Sequence, residues 1–144
     1  MRHDFHLPDD PIMSLLAVPV SYGELLDKIT ILEIKAARIA DPARLANVRD
    51  ELDLLSATWA THPAAAIDIT SERAALKAVN AVLWDIEDRI RVREKAQDFG
   101  AEFIELSRAV YFRNDERAAI KRAINLKLGS RLVEEKSYQD YKPG

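Results

Sequence analysis

The stretch SYGELLDKITILEIKAARI, Ser21 to Ile39, is apolar on two sides of a single helix. Leu25, Ile29, Leu32, Ala36 and Ile39 recur at alternating steps of four and three, the period of an α-helical stripe. Ile31 and Ile34 fall on the opposite side, and the series Asp27, Ile31, Ile34, Arg38 again steps by four, three and four. A helix apolar on two sides is buried on two sides. This segment is therefore expected to lie centrally, with a hairpin neighbour on one face. A later helix or a second subunit should cover Ile31 and Ile34. Asp27 and Arg38 are expected at the rim of that second face, as amphipathic edges. Lys28 follows Glu24 by four residues, the favoured order for a helix ion pair.

The remaining segments continue the helical period. Ser21 with Glu24 forms a capping box at the start of the first helix, preceded by Val20 as a staple residue. Asp41 caps a second helix with Pro42 at its first position, and Leu45, Val48, Leu52, Leu55 and Trp59 form its stripe. So short a turn predicts an antiparallel αα-hairpin. A third helix starts at Thr70 or Ser71, runs on Leu76, Val79, Leu83, Ile86 and Ile90, and should stop near Phe99 with Gly100 as a left-handed cap. A fourth carries Phe103, Leu106 and Val110. The run Arg113-Asn114-Asp115 should break it, with Asn114 or Asp115 capping a fifth helix through Ile120, Ile124 and Leu128 to Gly129. The expected class is all-α, a single domain of five helices. Residues 1–20 form an irregular lead-in, 21–129 the helical domain, and 130–144 a tail packed on it.

Composition narrows the chemistry. The 144 residues suffice for one core without staples, and the absence of cysteine rules out disulfides and thiolate sites. A formal charge of −3 disfavours general nucleic-acid binding. From Ala101 onward, however, nine Lys and Arg stand against seven Asp and Glu, a bias that allows a local anion pocket. The N-terminal segment has neither the charge pattern nor the apolar run of a signal peptide or membrane span, so a cytoplasmic protein is expected.

Two sets of residues are candidates for ligand binding. Arg117, Lys121 and Asn125 share a helix face, with Arg108 before them and Lys136 and Tyr138 on the tail after them. Cations gathered on one face suit a phosphate or carboxylate through charge-assisted hydrogen bonds; Glu134 and Glu135 compete for the same cations, and a structural salt-bridge seam is the alternative. Convergence of Arg108 with Arg117 and Lys121 requires the chain to fold back at the expected break. Asn80, Trp84, Glu87 and Arg91 form a second candidate wall along one border of the third helix; a plain hydrogen-bonded seam accounts for the same spacing. A third arrangement pairs Glu24 with Asp27 and Asp85 with Asp88. Carboxylates one turn apart on two facing helices are how all-α nucleotide pyrophosphohydrolases hold Mg²⁺. His3, His6 and His62 lie in loops without a ligand partner at helical spacing, and no glycine-rich phosphate loop is present.

The segments VPVSYGELLDKITILEIKAARI, VNAVLWDIEDRIRVRE, FIELSRAVYFRNDERAAIKRAIN and GSRLVEEKSY, in that order, resemble a family of small bacterial all-helical proteins known as a domain of unknown function. The resemblance covers about Val18 to Tyr141. It implies a fold and an association with glycosyltransferases and surface-polysaccharide genes, and it carries over no catalytic residue. The expected function is a non-catalytic helical binding module for a partner protein or an anionic small molecule, such as a phosphate or nucleotide sugar, without a cofactor. The alternatives are a Mg²⁺-dependent pyrophosphohydrolase and a structural homo-oligomer joined through Ile31 and Ile34.

Overall fold

The computed structural model describes residues 14–143 and is all-helical, with long helices α1 (Tyr22–Arg38), α2 (Pro42–Ala60), α3 (Thr70–Lys95) and α4 (Ala101–Leu128). A 3₁₀ turn, Pro63–Ala66, joins α2 to α3. Of the expected lead-in, residues 1–13 lie outside the described residues, as do His3 and His6. Among the described residues no helix is long and apolar enough to cross a membrane.

Capping explains three of the helix boundaries. Ser21 Oγ accepts from the Glu24 amide at 3.1 Å, and Asp41 accepts from the Arg44 amide at 2.9 Å with Pro42 behind it. Gly129 closes α4 at φ 68°, and the Ser130 amide reaches back to the Asn125 carbonyl at 2.8 Å in the Schellman manner. Two expected boundaries differ. The third helix stops at Lys95, and Gln97 rather than Gly100 takes the positive φ, at 53°. Gly100 instead precedes α4, where its amide donates to the Asp98 carboxylate at 3.1 Å.

The second difference matters more: α4 is continuous from Ala101 to Leu128, so the fourth and fifth expected helices are one. Asn and Asp end helices when their side chains compete for the local backbone. Here both have tertiary partners instead. Asn114 accepts from Arg117, and Asp115 accepts from the Tyr141 hydroxyl at 2.6 Å.

α1 is the hub. It packs against α2, α3 and α4, whereas α2 makes its substantial contacts with α1. The core joins Leu26 and Ile29 to Trp59, Ala64, Ile69, Leu76, Val79, Leu83, Ile124 and Leu128. Two-sided burial of α1 holds, and α3 of the same chain covers its second face. Ile34 is buried, and Ile31 is half-buried beside Leu83 and Trp84. Asp27 departs from its expected place at the rim, being only 7% exposed, whereas Arg38 does sit at the rim, paired with Asp85 at 2.6 Å. α2 is more peripheral than its spacing implies. Trp59 is its one buried residue, and Leu52 and Leu55 are half-buried against the core.

α1 and α3 both run antiparallel to α4. The start of α1 meets the end of α4 through Gly23 and Asn125, and the start of α3 meets it through Glu72 and Lys127 at 2.9 Å. The approach at Gly23 is unusually close. A Cβ there would lie 2.6 Å from the Lys121 carbonyl oxygen. Beyond Gly129 the chain turns back over α4. Glu134 reaches Ser21 and Lys121, Glu135 reaches Arg122, and the Tyr141 ring packs on Tyr111 and Phe112.

Candidate functional site

The closeness of α1 to α4 has a polar consequence. The first amides of a helix lack intrahelical acceptors. Gly23 N–H finds its acceptor across the interface, in Asn125 Oδ1 at 2.7 Å. One turn back along α4, Lys121 Nζ lies 2.6 Å from Glu24, 3.1 Å from Glu134 and 3.9 Å from Asp27. Burial opposes the charge on both Glu24 and Lys121, but the pairing outweighs it. The Glu24 carboxyl is held below its ordinary range by Lys121 and Lys28, and the Lys121 ammonium is pushed above its own by Glu24, Glu134 and Asp27. The capping box is therefore half made: Ser21 caps the helix, while the Glu24 carboxylate turns to Lys121.

A second polar layer lies beside the first. Asn80 of α3 donates to Asp27 Oδ1 at 2.8 Å and to Thr30 Oγ1 at 3.0 Å. Its own oxygen accepts from Arg117 at 3.3 Å, and Asn114 accepts from the other arm of Arg117 at 2.8 Å. Asp27, Thr30 and Asn80 are all buried, so this chain of bonds satisfies groups that would otherwise be costly to enclose. Arg117 ends the chain. It is half-buried, both of its acceptors are neutral amides, and among the described residues no carboxylate lies within 4 Å of it.

Three cavities meet at Arg117. One of about 460 Å³ lies between α3 and α4, lined by Ile31, Asn80, Leu83, Trp84, Glu87, Asp88, Arg91, Asn114 and Arg117. A smaller one of about 120 Å³ lies under the start of the tail, beside Lys121, Arg122, Asn125, Glu134 and Lys136. The third, about 890 Å³, opens between α4 and the end of the tail, beside Tyr111, Asn114, Asp115, Lys136, Tyr138 and Tyr141. Lys136 has no ion-pair partner among the described residues and stands 5.8 Å over the Tyr138 ring.

The structure sorts the residues singled out from the sequence. Arg117 and Lys136 face the cavities. Tyr138 lines the largest one and is 80% exposed. Lys121 and Asn125 line the smallest cavity, but the first is already neutralised and the second caps α1. Arg108 does not join them. On a continuous helix nine residues separate it from Arg117, about 13 Å along the axis and half a turn around it. Asn80, Trp84, Glu87 and Arg91 do share one cavity, and Glu87 and Arg91 also form an ordinary helix pair at 2.7 Å. The four acids of the metal arrangement are dispersed. Glu24 goes to Lys121 at the start of α1, Asp27 to Asn80, and Asp85 to Arg38 at the far end of α1, about 20 Å away. Asp88 lies on the rim of the α3–α4 cavity. Among the described residues no three His, Asp or Glu side chains group so as to hold a metal ion.

Sequence reasoning missed Thr30, Asn114 as a partner of Arg117, and Gly23. Only Gly23 left a signal, as a glycine in the first turn of an otherwise strong helix. No curated protein and no solved structure matches the chain. A family model does match, over residues 16–142, and the chain belongs to that family, a family of unknown function (DUF6165).

Proposed function

We propose that the protein is a binding module for a small anionic molecule, with Arg117 as the residue that takes the anion. The observation that supports this is the state of its guanidinium. Asn80 and Asn114 fix its orientation with neutral oxygens, so its charge stays uncompensated and further N–H donors remain free at the junction of three cavities. A half-buried cation of this kind favours an anion that brings both charge and acceptor oxygens. Lys136 supplies a second cation beside it without a carboxylate of its own.

Glu134 indicates the chemistry preferred nearby. The tail places this carboxylate on Lys121, where it acts as an internal anion. Lys121 therefore serves the fold, and the ligand falls to Arg117 and Lys136. The pyrophosphohydrolase reading receives less support, because its carboxylates do not face one another across an ion site.

Thermal scans in phosphate and in chloride at matched ionic strength test the proposal. At tenfold excess over Kd, binding to the folded state alone adds about 1.4 kcal/mol. For a chain of this size that raises Tm by roughly 3–6 °C. Arg117→Ala should abolish the rise. Equal melting temperatures in the two salts, for phosphate and for a panel of nucleotide sugars, would refute the proposal.

A further inference from the structure

The cavity between α3 and α4 has a mixed lining. Arg117 and Asn114 line it together with Trp84, Ile31 and Leu83. Trp84 is half-buried and held from outside the cavity. Arg38 lies over its ring at 5.9 Å from the centroid and is itself pinned by Asp85 at 2.6 Å. The indole is thereby fixed as a flat apolar surface beside the anion position.

The charges on the rim restrict what can lie there. Glu87 is spent on Arg91 at 2.7 Å. Asp88 has neither an ion pair nor a hydrogen-bond partner among the described residues, and it lines the same cavity. One carboxylate without a partner and one guanidinium without a counter-charge therefore share the cavity. A polyanion would meet repulsion from Asp88, and a neutral apolar molecule would leave Asp88 without a partner and Arg117 without a counter-charge. A molecule with one anionic group on Arg117 and hydroxyl donors toward Asp88 satisfies both. Its ring can lie on the indole face, whose negative quadrupole suits C–H groups.

We infer that the α3–α4 cavity is a site for a sugar monophosphate, with the phosphate on Arg117, the ring against Trp84 and ring hydroxyls donating to Asp88. This rests on the anion-binding reading above and adds the identity of the group carrying the anion. Its specificity residues, Trp84 and Asp88, are distinct from the anion residue.

The chain contains two tryptophans, Trp59 in the core and Trp84 in the cavity, which gives a direct reporter. The full chain labelled with 5-fluorotryptophan should show two ¹⁹F resonances, assigned through Trp84→Phe. Titrations would use inorganic phosphate, glucose, and three sugar monophosphates: ribose 5-phosphate, glucose 1-phosphate and N-acetylglucosamine 1-phosphate. At least one sugar monophosphate should shift the Trp84 resonance saturably, leave that of Trp59 in place, and bind tenfold or more tighter than inorganic phosphate. Asp88→Ala should remove most of that advantage without weakening phosphate binding. If phosphate binds through Arg117 but no sugar monophosphate binds tighter or moves Trp84, the sugar site is refuted and the anion site stands. If neither phosphate nor any sugar monophosphate binds, both are refuted.

Discussion

Gly23→Ala probes the contact on which the site is built. The added Cβ would stand 2.6 Å from the Lys121 carbonyl oxygen and 3.1 Å from Asn125 Oδ1, whereas ordinary contact begins at 3.4 Å. The obstacle is the backbone of α4, which no rotamer change can clear. α1 must therefore withdraw by about 0.8 Å, or the first turn must tilt. Overpacking of this kind costs about 1–3 kcal/mol. Stretching the 2.7 Å bond from Gly23 N–H to Asn125 adds about 1 kcal/mol. Alanine returns at most about 0.5–1 kcal/mol by restricting the unfolded chain and favouring helix. The balance is a loss of roughly 1–3 kcal/mol, read by urea denaturation followed by far-UV circular dichroism. Gly100→Ala is the control. Its Cβ would meet only the Asp98 side chain, at 3.1 Å, which can turn away. If Gly23→Ala were as stable as the native protein, or more so, the close α1–α4 approach would be wrong, and with it the placement of Lys121 and Asn125.

Other outcomes follow from the same geometry. Leu26→Ala, at a fully buried position, should cost about 2–5 kcal/mol. Leu52→Ala should cost roughly half as much because Leu52 is half-buried; equal midpoint shifts in denaturant would contradict the peripheral place of α2. The hydrogen bond to Asp115 and the charge beside it push the Tyr141 hydroxyl up to about 12 from its ordinary 10.0. Its contribution to tail docking is thus complete below pH 10 and is lost as pH rises through 12. Lys121, also raised, acts in the same direction above its ordinary 10.5. Titration of the phenolate absorbance should show Tyr141 ionising late, and Asp115→Ala should remove that lag. At the acid end Glu24 works in the opposite sense. Its stabilisation is present above 4.5 and fades as pH falls through its lowered folded value, a dependence Glu24→Gln should flatten in stability curves. No Mg²⁺-dependent release of pyrophosphate from the common nucleoside triphosphates is expected; turnover that vanishes in Asp88→Asn would overturn this.

What the sequence reveals here depends on the range of the signal. The caps at Ser21, Asp41 and Gly129 are local, and each appears where a short pattern places it. The two-sided burial of α1 is also local, because one helix wheel contains it. Asn114 and Asp115 mislead for the opposite reason: what keeps them from ending a helix is Arg117 and Tyr141, and Tyr141 lies 26 residues away. The reading of Arg108 as a site residue fell with that break. The polar chain through Asp27, Thr30, Asn80 and Arg117 is drawn from three helices, and no spacing along the chain links those positions. Wheel analysis does find Asn80 and Trp84 on one border of α3. It cannot show that Arg117 arrives opposite them, because that depends on the α3–α4 pairing. The burial of Asp27 is hidden for the same reason, since a carboxylate on a helix edge reads as solvated until a neighbouring amide and ammonium are placed on it.

The most direct measurement of the central claim is the response of the Arg117 guanidinium itself to an anion. In a ¹⁵N-labelled protein, side-chain Nε–H resonances can be followed while phosphate replaces chloride at constant ionic strength. The account predicts a saturable shift at Arg117, accompanied by the Asn114 side-chain amide that holds it, while Arg44 and Arg49 on the outlying α2 stay in place. Small non-saturating shifts spread alike over Arg44, Arg49 and Arg117 would mean that the protein has no anion site at Arg117.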